Sequence, residues 1–509
     1  MVASLVPLVA QTASNKCETN PALADPAAGP AWNGWGVDLS NSRFQTAQAA
    51  QITAAQVPHL KLKWAFGLAG AKQVFGEPVV VSGRVFFSDD NGVVYSLNAD
   101  TGCLYWTFQA EAGVRAAVSI KVTPSSSTAY FGDLKANAYA VDAANGTLVW
   151  KVRVDEHPTA RITGAPRLYE DRVYVPVASG EEGTSSSPQY PCCSFRGSVV
   201  ALDAASGKQI WKTWTIDEVP KIVGKNANGV RRWAPAGGGV WNSPTVDPKR
   251  HALYIGTGDA FATPAPKNTD SVMALDLDSG KILWSVQATA NDAWVVGCLN
   301  PKPLENCPKG FGPDQDFGSP PILRDIGGGH TLLVAGQKSG NVWAYDPDRQ
   351  GAVVWRTALV NNTKVFGGNI VWGGTADDRT AYFGLGKGGI GAVDIRNGER
   401  KWLTPLSPAD GLAQHVGEEG PLAAISGIIF SGGYDGVLRA LSASDGKVVW
   451  QFDTMRDFQT VNGVAAKGGS MGSAGPVVAG GTLFVPSGFV GVRNATPGNV
   501  LLAFTSPAE

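Results

Sequence analysis

The chain has 509 residues and a formal net charge of −1, and charged residues make up only 17% of it. That balance supplies no field to hold nucleic acid, and no run of about 20 apolar residues is present to span a membrane. Gly at 63, Pro at 32 and 16 Trp suit many short strands joined by tight turns, not helices or a disordered chain.

In chain order, residues 1–30 read as an N-terminal segment and residues 31–509 as one domain. The opening MVASLVPLVAQTASNKC resembles the apolar part of a secretory signal, but no Lys or Arg precedes it. It therefore reads as a truncated remnant, not an intact signal. The six Cys are Cys17, Cys103, Cys192, Cys193, Cys298 and Cys307. An even count without a C-x-x-C pair favours disulfides over zinc. Cys298 and Cys307 bracket a short Pro-rich loop that they could close. Oxidised Cys points to an oxidising compartment, here the periplasm.

An internal repeat dominates the rest. A strand ending in A-x-D leads to a turn containing Gly and then to a strand carrying Trp. The copies end at Trp106, Trp150, Trp211, Trp284, Trp355, Trp402 and Trp450. An eighth copy is split: LKLKWAF around Trp64 has the Trp strand, and VLLAF at Val500 to Phe504 has the leading half. Pairing the two closes a ring and removes both sheet edges, which an open solenoid of the same repeat would leave free. The expected fold is therefore all-β, an eight-bladed propeller of four-stranded antiparallel blades. The intervals between repeat Trps are longest from Trp150 to Trp355. Insertions of that kind crowd one rim and point to that half for chemistry.

The Trp repeats resemble those of the PQQ-dependent alcohol dehydrogenases over nearly the whole chain. WNGWGVDLSNSRFQ (Trp32 to Gln45), YPCCSFRGSV (Tyr190 to Val199), NDAWVVGC (Asn291 to Cys298) and VNGVAAKGGS (Val461 to Ser470) are similar to the polyvinyl alcohol dehydrogenase branch. The resemblance implies oxidation of secondary alcohols to ketones by bound pyrroloquinoline quinone (PQQ) and a metal ion. PQQ is a flat tricyclic quinone with three carboxylates. Its site needs a stacking face, cations, a Lewis acid and a base.

In RITGAP and the acidic loop after it, the resemblance places Thr163, Ser179 and Gly180 on the cofactor. It places one of Glu181 and Glu182 on the metal, with Glu181, 18 residues after Thr163, preferred on spacing. Trp241 takes the floor under the quinone, where an aromatic face suits a flat ring. Asp259 stands where these enzymes usually have a metal-binding Asn. The base normally follows a Trp directly, but here Val295 follows Trp294. Counting back from SPPIL gives Asp314 as catalytic base, with Asp316 as a further metal ligand. Asp292 is the alternative base, and DQD as a mere polar turn is the bland one. An extended D-x-D points both carboxylates the same way. Glu181, Asp259, Asp314 and Asp316 then form an oxygen cage for a hard cation, Ca²⁺ by default and a lanthanide as the alternative.

For the cofactor's oxygens and carboxylates the resemblance offers Lys338 and Arg115. Asn369, Trp372, Asn462, Lys467 and Ser470 are further rim candidates. The adjacent Cys192 and Cys193 can close a disulfide ring expected to reach the cofactor. No C-x-x-C-H is present, so no haem is expected on this chain. Electrons are expected to leave to a separate acceptor, a soluble cytochrome c. The competing reading is a non-catalytic propeller scaffold like the outer-membrane assembly lipoproteins, which share similar Trp repeats.

Overall fold

The computed structural model describes residues 15–360, 369–406, 417–491 and 495–507. The apolar stretch read as a signal remnant falls largely on residues 1–14, outside the described residues. Eight antiparallel sheets succeed one another along the chain. Their innermost strands are Val74–Val81, Ser119–Thr123, Arg167–Tyr169, Thr245–Asp247, Ile322–Gly327, Thr375–Ala376, Ala423–Ile425 and Val477–Ala479, here blades 1 to 8. Blade 8 is closed by Lys61–Gly67, which pairs antiparallel with Val500–Thr505, from Lys61 opposite Thr505 to Gly67 opposite Val500. The split repeat thus closes the ring as its halves predict. No helix among the described residues is long and apolar enough to cross a membrane.

The repeat Trps join the blades. Trp106 Nε1 donates to Ala143 O at 3.0 Å, and Trp150, Trp211, Trp355 and Trp402 make the equivalent bond to Ala204, Leu277, Ile395 and Ala443. Each Trp covers the turn of the following blade. Gly146 is required there twice over: its φ is +77°, and a Cβ would lie 2.7 Å from the Trp106 ring. Three disulfides are present, Cys17–Cys103, Cys192–Cys193 and Cys298–Cys307.

Trp32–Gln45 belongs to no blade. It runs around one end of the ring axis and hydrogen-bonds to every innermost strand. Trp32 meets Val80, Asn33 meets Ile120, Asn41 meets Arg167 and Thr245, and Ser40 meets Leu323. Ser42 meets Ala376, Arg43 meets Ala424 and Gln45 meets Val478. At its centre Arg43, wholly buried, ion-pairs with Glu77 and lies over the rings of Trp32 and Trp35. The same guanidinium donates to the carbonyls of Leu422, Trp35 and Pro476 at 2.5, 2.6 and 3.2 Å. Within this plug the charged groups of Arg43 and Glu77 all find partners, Glu77 also accepting from the Gly475 amide, the condition for burying a charge at all.

Candidate active site

Beyond the plug, the residues preceding the innermost strands converge on a small axial cavity. It is lined by Trp35, Glu77, Arg115, Thr163, Trp241 and Trp372, among others. The Trp241 ring is packed against the backbone of Gly318, where a Cβ would lie 1.8 Å from it. Trp372 stands edge-on to Trp241, with centroids 5.5 Å apart at 80°. Arg115 lies 4.7 Å over the Trp372 ring. Burial and the nearby Arg161 pull its guanidinium down to about 9, because neither supplies the anion a desolvated cation wants.

The acidic residues meet beside this floor. Among the described residues, Asp259, Asp314 and Asp316 each bring a carboxylate oxygen within 4.8 Å of the others. All three are buried. Lys338 Nζ sits among them, 2.6 Å from Asp314 Oδ1 and 3.2 Å from Asp316 Oδ2, and 5.3 Å from the Trp241 ring centre. Trp241 Nε1 donates to Asp316 Oδ2 at 3.0 Å, and the Asp259 amide donates to Asp316 Oδ1 at 3.0 Å. Burial, then the charges of Asp316 and Glu182, pushes Asp259 well above the usual carboxylate range. Burial pushes Asp314 the same way against the pull of Lys338. Burial alone would lower Lys338, but Asp314, Asp316, Glu182 and Asp259 together hold it well above its ordinary value.

The two glutamates have different surroundings. Glu181–Thr184 forms one short helical turn, in which successive side chains point about 100° apart, so only one of the pair can face the axis. Glu181 turns inward. It accepts from Tyr190 OH at 2.9 Å and from the amides of Ser194 and Phe195 at 2.9 and 2.8 Å, which leaves it outside the carboxylate group. Glu182 lies near enough to that group to feel the charges of Lys338 and Asp316. Its carboxyl is pushed up to about 7 by burial and Asp316, against the attraction of Lys338.

Other expectations divide similarly. Thr163, Arg115, Trp241 and Trp372 line the cavity, and Asn369 hydrogen-bonds to the Lys338 carbonyl through its amide. The Ser179 hydroxyl bonds with Thr159 and accepts from the Glu181 amide, so it is engaged locally. Gly180 packs against the Arg161 guanidinium. The Cys192–Cys193 pair does not line the cavity. It is buried in an apolar cluster with Phe195, Phe261 and Trp294, and Cys192 O accepts from the Trp233 amide. Asn462 bonds both ways with the backbone of Gly67 at the outer strand of blade 8, and Lys467 is exposed in a two-stranded ribbon. Ser470 donates to Tyr434 O. None of these three is among the cavity's lining residues. Asp314 is not extended: its φ is +62°, so a turn, not a strand, brings it beside Asp316. Arg161 and the buried Asp270 were not singled out by sequence. Asp270 lies outside every segment of resemblance, and its one signal is a TDS turn before a strand.

The raised carboxyls set a pH dependence. Glu182, ordinarily at 4.5, sits at about 7. A group raised in the folded state contributes stability that is complete below its unfolded value and lost as pH rises through its folded one. Asp259 and Asp314 act in the same direction. The metal-free protein is therefore expected to show a falling Tm from pH 5 to pH 8 in thermal melts. Saturating Ca²⁺ or La³⁺ should remove that fall by neutralising the cluster. A Tm unaffected by either cation at pH 8 would show that the carboxylates do not act as a cation site.

Comparison with known proteins follows this geometry. The β-propeller domain family of glucose, ethanol and alcohol dehydrogenases, a PQQ family, matches residues 32–301. The polyvinylalcohol dehydrogenase of a Pseudomonas species is 38% identical over 96% of this chain and 79% of its own length. The chain belongs to the PQQ-dependent alcohol dehydrogenases. A second polyvinylalcohol dehydrogenase, from Sphingopyxis, is 38% identical over 96% of this chain and 78% of its own. Among solved structures, the quinohemoprotein alcohol dehydrogenase of Comamonas testosteroni superposes with a TM-score of 0.68 at 19% identity, covering 94% of this chain and 81% of that one. A europium-containing methanol dehydrogenase gives 0.69 at 18%, covering 94% and 98%. The outer membrane protein assembly factor family matches residues 194–419, a stretch that carries the repeat Trps Trp211, Trp284, Trp355 and Trp402.

The residues present suit the cofactor of this PQQ-dependent family. Thr163 Oγ1 and Ser473 Oγ at the cavity, and Asp259 Oδ2 in the carboxylate group, are buried without a hydrogen-bond partner. Such groups are costly unless a ligand satisfies them. Arg115 has no carboxylate partner among the described residues and is matched to an anionic one. The all-oxygen donor set suits a hard cation.

Proposed function

We propose that this protein oxidises secondary alcohols, polyvinyl alcohol or bulky relatives of it, to ketones with PQQ and a metal ion. Ca²⁺ is the default ion and a lanthanide the alternative. The electrons pass to a separate soluble cytochrome c in the periplasm. One observation carries the reading: three buried carboxylates gathered around Lys338 beside the Trp241 ring. When bound, PQQ supplies the two-electron acceptor, and the metal supplies Lewis acidity beside it.

The chain's own residues do the rest. Trp241 offers the stacking face. Arg115 and Thr163 hold the cofactor's carboxylates and edge. Asp259 and Asp316, with Glu182 beside them, would hold the cation. Asp314 accepts the hydroxyl proton of the alcohol, helped by burial that raises its basicity. Lys338 holds Asp314 in place. Trp372, edge-on to Trp241, must swing aside for a ring to stack there, so PQQ binding should change Trp fluorescence. Three aliphatic side chains on the loop between blades 3 and 4, Val219, Ile222 and Val223, are more than half exposed. Such a surface suits a bulky, partly apolar alcohol.

The assembly-factor match favours a scaffold reading, but a scaffold gives no role to buried carboxylates with unsatisfied oxygens. The test is reconstitution with PQQ plus Ca²⁺ or La³⁺, followed by Trp fluorescence and dye reduction with a secondary alcohol. Saturable quenching with alcohol-dependent dye reduction is the expected result. No PQQ binding with either ion would overturn the enzyme reading.

A further inference from the structure

We infer that Asp292 is a positioning residue that sets Asp314 and Asp259 in register, and not a second base. The inference rests on the role of Asp314 proposed above. Asp292 is wholly buried. Its two carboxylate oxygens are taken by consecutive backbone amides: Oδ1 accepts from Asp314 N at 3.2 Å and Oδ2 from Gln315 N at 2.8 Å. With both oxygens turned to these donors, the carboxylate is directed at the backbone under Asp314.

Asp314 needs that support. Its φ of +62° is in the left-handed region, which a side-chain-bearing residue holds only when its surroundings support it. Charge-assisted bonds to two successive amides supply that support. This turn aims the Asp314 side chain at Lys338. Gly312 makes room for the arrangement, since a Cβ there would lie 2.1 Å from Asp292 Oδ1. The main chain of Asp292 serves the other side of the cage, because its carbonyl accepts from Ala260 N at 3.2 Å, directly after Asp259. One residue therefore ties down both the loop carrying Asp314 and the loop carrying Asp259. Here each oxygen meets its own amide, so Asn in this place would keep one acceptor and turn an NH₂ group toward the other N–H, which it cannot accept from.

The test compares Asp292→Asn with the wild type in two assays. In the PQQ-loaded enzyme, kcat should fall about 10–100-fold, KM for the alcohol should hold within about twofold, and the acid limb of the pH profile, which reports the base, should stay in place. In the cofactor-free protein, Tb³⁺ affinity read by Trp-sensitised luminescence should weaken about 10-fold. Gly312→Ala, which pushes the carboxylate away, should give the same pattern and serves if Asp292→Asn does not fold. Loss of the pH limb in Asp292→Asn would make Asp292 the base and overturn the inference. Unchanged kcat and Tb³⁺ affinity with only a lower Tm would overturn it too, by reducing Asp292 to a packing role. If the wild type shows no PQQ-dependent turnover, the proposed function fails while the Tb³⁺ titration still decides this point.

Discussion

Asp314→Asn is expected to lower kcat about 10²–10⁴-fold, the usual contribution of a positioned general base. The amide keeps the shape of the side chain but cannot take a proton. Lys338 retains Asp316 at 3.2 Å and the nearby charges of Glu182 and Asp259, so the fold loses little. Melting temperature should shift by no more than a few degrees. PQQ binding should persist, because Trp241, Arg115 and Thr163 are untouched. The measurement is single-turnover reduction of bound cofactor by a secondary alcohol, alongside a thermal melt. A variant that keeps a tenth or more of the wild-type rate would remove Asp314 from the role of base.

The largest effect on stability is expected from Arg43→Ala. This change leaves Glu77 buried without its cation and strips the carbonyls of Trp35, Leu422 and Pro476 of a donor. Breaking a buried ion pair from one side costs about 3–5 kcal/mol, and the lost contacts with Trp32 and Trp35 add to it. Glu77→Gln should be milder, since Arg43 keeps its three carbonyls and the amide oxygen still accepts. Because Trp35 and Glu77 also line the cavity, PQQ affinity should fall with stability in the Arg43 variant. Chemical denaturation and PQQ titration check both. A midpoint equal to wild type would mean that the plug carries no mechanical load.

What could be read in the sequence was what is local or repeated. Each Trp copy states its own strand, turn and docking glycine, so the blade count and the ring closure follow from spacing alone. Asp259 and the Asp314–Asp316 pair also stood out, because they interrupt recognisable segments in the half with the longest insertions. The different surroundings of Glu181 and Glu182 did not, because one residue of phase in a helical turn swings a side chain by about 100°. Trp32–Gln45 was visible as a motif, but its partners lie on all eight blades, and no spacing records them. The Cys192–Cys193 pair was legible as a bond and not as a location, since its surroundings come from Phe261 and Trp294 far along the chain.

The sheet of blade 8 joins Lys61–Gly67 to Val500–Thr505, so its outer strand has no partner until residues more than 400 positions later have been made. Contacts of such sequence separation make for slow maturation. Until that seam zips, blade 8 presents the bare edge of its nascent sheet to any passing strand. A ribosome stalled late in the message would release a product with most of its blades and a sticky flank. A chain cut short of residue 500 is therefore expected to aggregate, and screens for soluble variants should watch residues 500–505 as closely as the catalytic centre.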